Sequence, residues 1–193
     1  MTKNSLSLKD IIRSSSVTRW HCVPTRSVQS LAEHQYMVAI IAQHIAKAIV
    51  GAALSESDEL LLLNYALFHD TPEIAMGDIP TPMKREMASR DSDFGVILAE
   101  LEKEICTQYH FYHEKVKDSY LICLVKLADI MDAICYLDQN GYTRYTDRIQ
   151  QKLTADFHQR LVSNQEQYPQ FQWSQTIEIL NEILNGEDHL FEE

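Results

Sequence analysis

The chain has 193 residues, 45% of them hydrophobic, with only five Gly and five Pro, which suits one compact domain with a substantial core. Its formal charge of -11 disfavours extended binding to DNA or RNA and leaves room only for a small local basic pocket. Four cysteines without a C-x-x-C pair exclude a zinc ribbon and point to a reduced, cytoplasmic protein. The N-terminus carries no basic and apolar leader, and no apolar run approaches the roughly 20 residues that span a bilayer, so no membrane partner is expected.

In chain order, Leu6, Leu8, Ile11 and Ile12 predict a short helix that Ser14, Ser15 and Ser16 break. Arg19-Trp20 opens a loop with Pro24 and no helical period. Ser30 to Glu33 then reads as a capping box. The helix it starts carries an apolar stripe of Val38, Ile41, Ala42, Ile45 and Ile49 and stops at Gly51. His34 lies one turn before Val38 and projects inward, whereas His44 falls off the stripe and is expected in solvent. Ser57 is expected to cap the next helix, apolar from Leu60 to Phe68 and ending in His69-Asp70. Glu73 shares a face with Asp70 if the turn persists through Thr71 and Pro72, and Gly77 ends it. A helix end carrying His, Asp and Glu is costly to bury unless a metal or charged ligand compensates it.

Beyond Lys84, one helix is predicted from Phe94 to about Tyr109, with Phe94, Ile97, Leu98, Leu101 and Ile105 as a core stripe, followed by His110 and His113 in a surface loop. A helix from about Val116 to Leu137 carries Ile122, Val125, Asp129, Ala133 and Tyr136 on one stripe, so a single carboxylate interrupts an apolar face. Lys126, three residues earlier, can point to the same place, with Asp132 to one side. Asp129 also has two plainer readings, as a cap or as the partner of Lys126. Gly141 closes that helix, and Arg144 to Val162 and Trp173 to Leu184 form two more around Pro169. The fold class is all-α, a single-domain helical bundle. The acidic stretch Glu187 to Glu193 reads as a solvated end, and no Gly-rich phosphate loop occurs.

His34, His69-Asp70 and Asp129 read H…HD…D. Arg19-Trp20, A-E-H at 32-34, F-H-D-x-x-E at 68-73, G-D-I-P-T-P-x-K at 77-84 and L-V-K-x-A-D at 124-129 accompany them in order. On these motifs the chain resembles the HD-domain phosphohydrolases, in particular the 5'-deoxynucleotidase branch and its viral dATP triphosphohydrolase relatives. The resemblance runs over nearly the whole chain and implies one HD domain over 1-193.

It implies one divalent metal ion held by His34, His69, Asp70 and Asp129. Imidazoles and carboxylates suit Mn, Co, Fe, Ni, Zn or Mg without distinguishing them. Glu73 becomes the general acid or base, with Arg19, Lys84 and Lys126 neutralising phosphate charge. In the resemblance Trp20 packs near the nucleobase and Asp78 reads the sugar hydroxyl. Trp20 as a core anchor and Asp78 as a cap are the plainer alternatives. Cys22, smaller than Leu or Ile, leaves room beside a purine stacked on Trp20, or is a buried filler thiol. The implied function is a metal-dependent phosphohydrolase of 2'-deoxynucleotides, with monophosphates as first choice and release of triphosphate from dATP as the alternative. A non-catalytic HD module that binds a nucleotide or a partner helix is the second alternative. A homodimer or higher homo-oligomer is the implied assembly. A helix-turn-helix DNA binder is disfavoured, because no helix is rich in Lys and Arg.

Overall fold

The computed structural model describes residues 5–186, so the acidic C-terminal stretch lies outside the described residues. A short helix α1 (Leu8–Ile11) runs into a 3-10 turn (Ile12–Ser16) and a loop over 17–30. The long helix α2 (Leu31–Val50) follows, then α3 (Glu56–Phe68), the single turn α4 (Glu73–Met76) and α5 (Thr81–Arg90). The chain continues through α6 (Phe94–Ile105), α7 (Thr107–Val116), α8 (Tyr120–Asn140), α9 (Arg144–Gln167) and α10 (Gln175–Asn185). Only two isolated bridges, Thr18 to Ser30 and Thr25 to Gly141, show strand-like pairing among the described residues. The all-α expectation holds.

The core is built where α2 packs on α3 and α8, and α8 on α9. Val38, Ile41, Ala42, Ile45 and Ile49 of α2 are buried as their spacing predicts. They meet Leu62 and Ala66 of α3, Leu124, Val125, Ala128 and Met131 of α8, and Phe157 of α9. Trp173 is buried in the same core, and its indole N–H donates to the Tyr168 carbonyl at 2.9 Å.

Ser30 starts α2 as the sequence says. Its hydroxyl accepts from the Glu33 N–H and the Glu33 carboxylate accepts from the Ser30 N–H, so two free donors of the first turn are satisfied reciprocally. The cap sets where the helix begins, and so sets the direction of His34 four residues on.

Several boundaries differ from the expectation. Ser55, not Ser57, caps α3, and its hydroxyl accepts from the Asp58 N–H at 3.1 Å. Only Leu62, Tyr65 and Ala66 of α3 are buried, so this helix is less enclosed than its apolar run suggests. The predicted helix from Phe94 to Tyr109 is two helices, because Cys106 is extended (φ -130, ψ 104) and its thiol caps α7. His110 and His113 therefore stand on α7 and not in a loop. None of the α6 stripe is buried, and Ile97 is 58% exposed. The helical span Leu31–Ala53 is long enough, and over its most apolar 18 residues apolar enough, to cross a membrane by length and composition alone, which the expectation of no membrane-length run overlooked. Gln35, Gln43 and His44 break the run to the eye, but the average passes over them. Here one face of that helix packs against α3 and α8.

The N-terminus of α2, the end of α3, the turn α4 and the middle of α8 converge under the loop 17–30. That loop is tied at both ends, by Arg19 N–H to the Gln29 carbonyl at 2.9 Å and by Arg26 N–H to the Asn140 carbonyl at 2.9 Å.

Ser30→Ala removes half of the capping box, so it should lower stability by about 1 kcal/mol in a urea titration with an unchanged slope. An unchanged midpoint would show that packing alone fixes the start of α2.

Candidate active site

His34 sits in the first turns of α2, fully buried, and His69 follows the last turn of α3. Each imidazole is oriented by its far nitrogen. His69 Nδ1 lies 2.7 Å from the Ala66 carbonyl, which can only accept, so Nδ1 carries the proton and Nε2 presents a lone pair. His34 Nδ1 lies 2.6 Å from Asp132 Oδ2, which likewise keeps a proton on Nδ1. Both Nε2 atoms are buried without a hydrogen-bond partner. They converge on Asp70 Oδ2, at 3.4 Å from His34 and 3.3 Å from His69, and Asp129 Oδ1 lies 3.3 Å from His34 Nε2.

Two imidazole Nε2 atoms facing two carboxylates form the donor set of a divalent ion, and ligand atoms of His34, His69 and Asp70 lie within 4.8 Å of one another. The residues fit a metal. Burial of bare polar atoms is costly, and a cation at their common focus compensates it.

The electrostatics follow from this crowding. Burial and the Arg19 charge push His34 down, but the surrounding carboxylates of Asp129, Asp132 and Asp70 outweigh them and raise it to about 10, so without a metal the ring holds a second proton whose place on Nε2 a bound ion would take. Burial works to raise Asp70, yet the imidazoles of His69 and His34 beside it and the Arg19 charge hold it well below the usual carboxylate range. Glu73 behaves oppositely. Burial, then the like charges of Asp70 and Asp78, push it up to about 8 against Arg19 and Lys84.

Glu73 reaches the site through a turn and not through a continuous helix. His69 to Pro72 form the turn between α3 and α4, and Thr71 inside it accepts from the Gln35 amide of α2 at 3.1 Å. Gly77, at φ 77, then turns the chain away in a conformation a side chain would resist. One Glu73 oxygen, Oε1, lies 3.5 Å from Lys84 Nζ, and the other, Oε2, is buried without a partner.

Arg19 spans the two carboxylates, with Nη1 3.0 Å from Asp70 Oδ2 and Nη2 3.9 Å from Asp129 Oδ1. Beside it opens a cavity of about 470 Å³, lined by Arg19, Trp20, Cys22, Asp78 and Pro80, and across from them by Arg148 and Lys152. Arg85 also lines it and pairs with Asp156 at 3.4 Å, joining α5 to α9. Trp20 is half-buried in this wall and stacks on Tyr136, ring centroids 5.6 Å apart at 11°. Asp78 is not a cap, because Pro80 occupies the cap position of α5 without a side-chain bond.

Lys126 departs from the expectation. It is exposed on α8 and does not line this cavity. Asp132, set to one side in the sequence reading, is instead 4% exposed and bonded to His34. Its signal was available, since it follows Asp129 by three residues and therefore shares its face. Gln29, Arg85, Arg148 and Lys152 were also missed. Gln29 lies in a loop, where no periodicity speaks, and the three cations read as ordinary solvated positions.

A helical bundle that focuses two imidazoles, two carboxylates and a buried glutamate beside a cationic cavity defines an HD-type, metal-dependent phosphohydrolase. More particularly, the chain belongs to the 5'-deoxynucleotidase YfbR-like family, whose model matches residues 8–155. It is 29% identical over 192 residues to the dATP triphosphohydrolase of Acinetobacter phage SH-Ab 15497, covering 94% of this chain and 93% of that one. With the dATP triphosphohydrolase of Salmonella phage PMBT28 it shares 32% identity over 157 residues, 79% of this chain and 77% of that one. Among solved structures, the cyanophage S-2L HD phosphohydrolase DatZ, bound to dA and one catalytic Zn2+ ion, matches with TM-score 0.73 and 25% identity. The match covers 92% of this chain and 99% of DatZ.

With its metal removed by a chelator, the protein should lose stability as pH rises. Glu73 is raised from 4.5 to about 8 in the folded state, so its contribution is full below 4.5 and is lost as pH climbs through 8. Melting curves of the metal-free protein between pH 4.5 and 6.5, below the range in which His34 (6.5 to about 10) adds a decline of its own, should show this loss, and Glu73→Gln should flatten it there. A decline of equal size in the variant would place its origin elsewhere.

Proposed function

We propose that this enzyme cleaves the bond between the α-phosphorus and O5' of a purine 2'-deoxynucleoside triphosphate, releasing the nucleoside and intact triphosphate. The observation that carries the reading is the cation lining of the cavity. Arg19, Arg85, Arg148 and Lys152 face it against Asp78 and Asp156, a local positive excess in a chain of net charge -11. A triphosphate carries about four negative charges and uses such an excess, whereas a monophosphate carries about two. Similarity to dATP triphosphohydrolases over nearly the whole chain supports the same choice.

The first-choice reading of the motifs, a deoxynucleoside monophosphate, has its own support. Of the three cations the motifs offered, only Arg19 faces the carboxylates directly. Lys84 is engaged by Glu73 at 3.5 Å, and Lys126 is exposed away from the cavity, which suits a small phosphate load. The family description carries that activity too. Both readings break the same P–O5' bond and differ only in what hangs beyond the phosphorus.

In either case His34, His69, Asp70 and Asp129 would hold the metal. Once bound, the ion supplies an acidified water and polarises a phosphoryl oxygen. Arg19 offers its guanidinium fork to the phosphate oxygens from between the two carboxylates. Glu73 exchanges the proton at its unpaired Oε2, taking it from the attacking water or giving it to the departing O5'. Trp20 stacks on the base with Cys22 beside it, Asp78 bonds the 3'-hydroxyl and crowds a 2'-hydroxyl, and Lys84 holds Glu73 in place. All of this belongs to one domain over 1-193, working as a homodimer or larger homo-oligomer in the cytoplasm. The four cysteines, all free, suit that reducing compartment.

Ion chromatography of the products from dATP with Mn2+ should show triphosphate and deoxyadenosine, at a kcat/KM well above that for dAMP. Faster turnover of dAMP, with only single phosphates from dATP, would establish the monophosphate reading instead.

Glu73→Gln should lower kcat roughly 10²- to 10⁴-fold while metal content stays at the wild-type level. Normal kcat with a raised KM would make Glu73 a binding residue.

A further inference from the structure

Behind the reaction centre runs a second set of hydrogen bonds that the reaction itself does not use. Asp132 lies one turn beyond Asp129 on α8. Its Oδ2 meets His34 Nδ1 at 2.6 Å and accepts from Gln29 Nε2 at 2.9 Å. Gln29, 6% exposed at the end of the loop 17–30, accepts through Oε1 from the indole Nε1 of Trp20 at 2.9 Å.

Each link has one permitted polarity. An indole N–H can only donate, so it turns the Gln29 oxygen towards Trp20 and the amide nitrogen towards Asp132. The Asp132 oxygen that accepts from Gln29 also accepts from His34, so it keeps a proton of His34 on Nδ1 and leaves Nε2 as the atom that faces the metal position. An unbroken chain therefore joins the cavity wall to a metal-facing atom. All three inner members, His34, Asp132 and Gln29, are at most 6% exposed, so water competes little for these bonds.

The outer end of the chain is held firmly. Trp20 has φ 62, the one positive φ outside glycine among the described residues. Such a backbone persists for a bulky residue only where the surroundings over-determine it. Here they include the stack on Tyr136, one turn beyond Asp132 on the same helix, and a bond from Val23 N–H to the Trp20 carbonyl at 2.8 Å. Its neighbour Arg19 points to Asp70 at 3.0 Å, so the reversal at Trp20 sends consecutive side chains to the metal position and to the cavity.

We propose that Gln29 is a positioning residue that couples the orientation of Trp20 in the cavity wall to the tautomer of His34, so that base engagement and metal affinity are set together. By linkage, whatever orders the indole strengthens the metal site, and a bound metal strengthens the hold on the base by the same factor. The second half rests on Trp20 contacting the nucleobase, and the first half does not.

The test is a titration of Co2+ into metal-free wild type, Trp20→Phe, Gln29→Leu and the double variant, without nucleotide, followed by visible absorption. Trp20→Phe keeps a ring in the stack and deletes only the indole and its N–H, far from the metal. It should weaken Co2+ about 3- to 10-fold, with Gln29→Leu at about 10-fold, within the range seen when a ligand's supporting partner is lost. The double variant should be no weaker than Gln29→Leu alone, because both changes break one chain. Co2+ affinity of Trp20→Phe within twofold of wild type would overturn the proposal, as would additive losses. Should Gln29→Leu fail to fold, Trp20→Phe against wild type still decides. A second titration, of 2'-deoxyadenosine into the Co2+-loaded proteins, separates the two halves. Weakened nucleoside binding in Gln29→Leu, which keeps the Trp20 ring, supports the coupling, whereas unchanged binding in Gln29→Leu beside weakened Co2+ overturns the coupled half.

Discussion

Two buried imidazole nitrogens, Nε2 of His34 and of His69, have no hydrogen-bond partner within the protein and point at the same carboxylate oxygen of Asp70. Orphaned polar atoms at this depth are among the more costly features a fold can carry, so the rest of the site follows from what fixes them there. The fixing is done from behind. Asp132 and the Ala66 carbonyl hold the Nδ1 protons, α2 is started in register by Ser30, and the turn after α3 is held to α2 through Gln35 and Thr71. In the proposed reading a cation at the focus would offset that cost.

The same crowding explains the division of labour between carboxylates. Asp70 is surrounded by imidazoles and Arg19 and is held well below the usual carboxylate range, while Glu73, one short turn further along, sits among like charges and is raised to about 8. Two acidic groups so close in sequence thus acquire opposite proton affinities from their surroundings alone, which suits the proposed roles of Asp70 as a metal ligand and Glu73 as a proton carrier. The cavity adds the third part, an apolar wall with cations at its edge, suited to a molecule with a flat base at one end and negative charge at the other.

Much of this was legible in the sequence, and the residues show why. His34 could be read inward because a capping box and an apolar stripe fixed both its position and its face. His69-Asp70 and Glu73 stood out as polar groups at an apolar helix end, and Gly77 marked the turn. The resemblance supplied the grouping into one site. Asp132 was misread although its spacing from Asp129 was informative, because Lys126 offers an equally good spacing and an opposite charge. Cys106 broke a helix without warning, since an extended cysteine cap has no strong compositional signature. Gln29 and the cations of α9 depend on contacts between segments more than a hundred residues apart, which no local pattern encodes.

The central claim is that one divalent ion sits at the focus of His34, His69, Asp70 and Asp129. Anomalous diffraction from crystals of the Co2+-loaded protein tests it most directly. The account predicts one strong peak per chain, within coordination distance of both Nε2 atoms and of carboxylate oxygens from Asp70 and Asp129. A peak elsewhere, or two ions sharing the site, would contradict it.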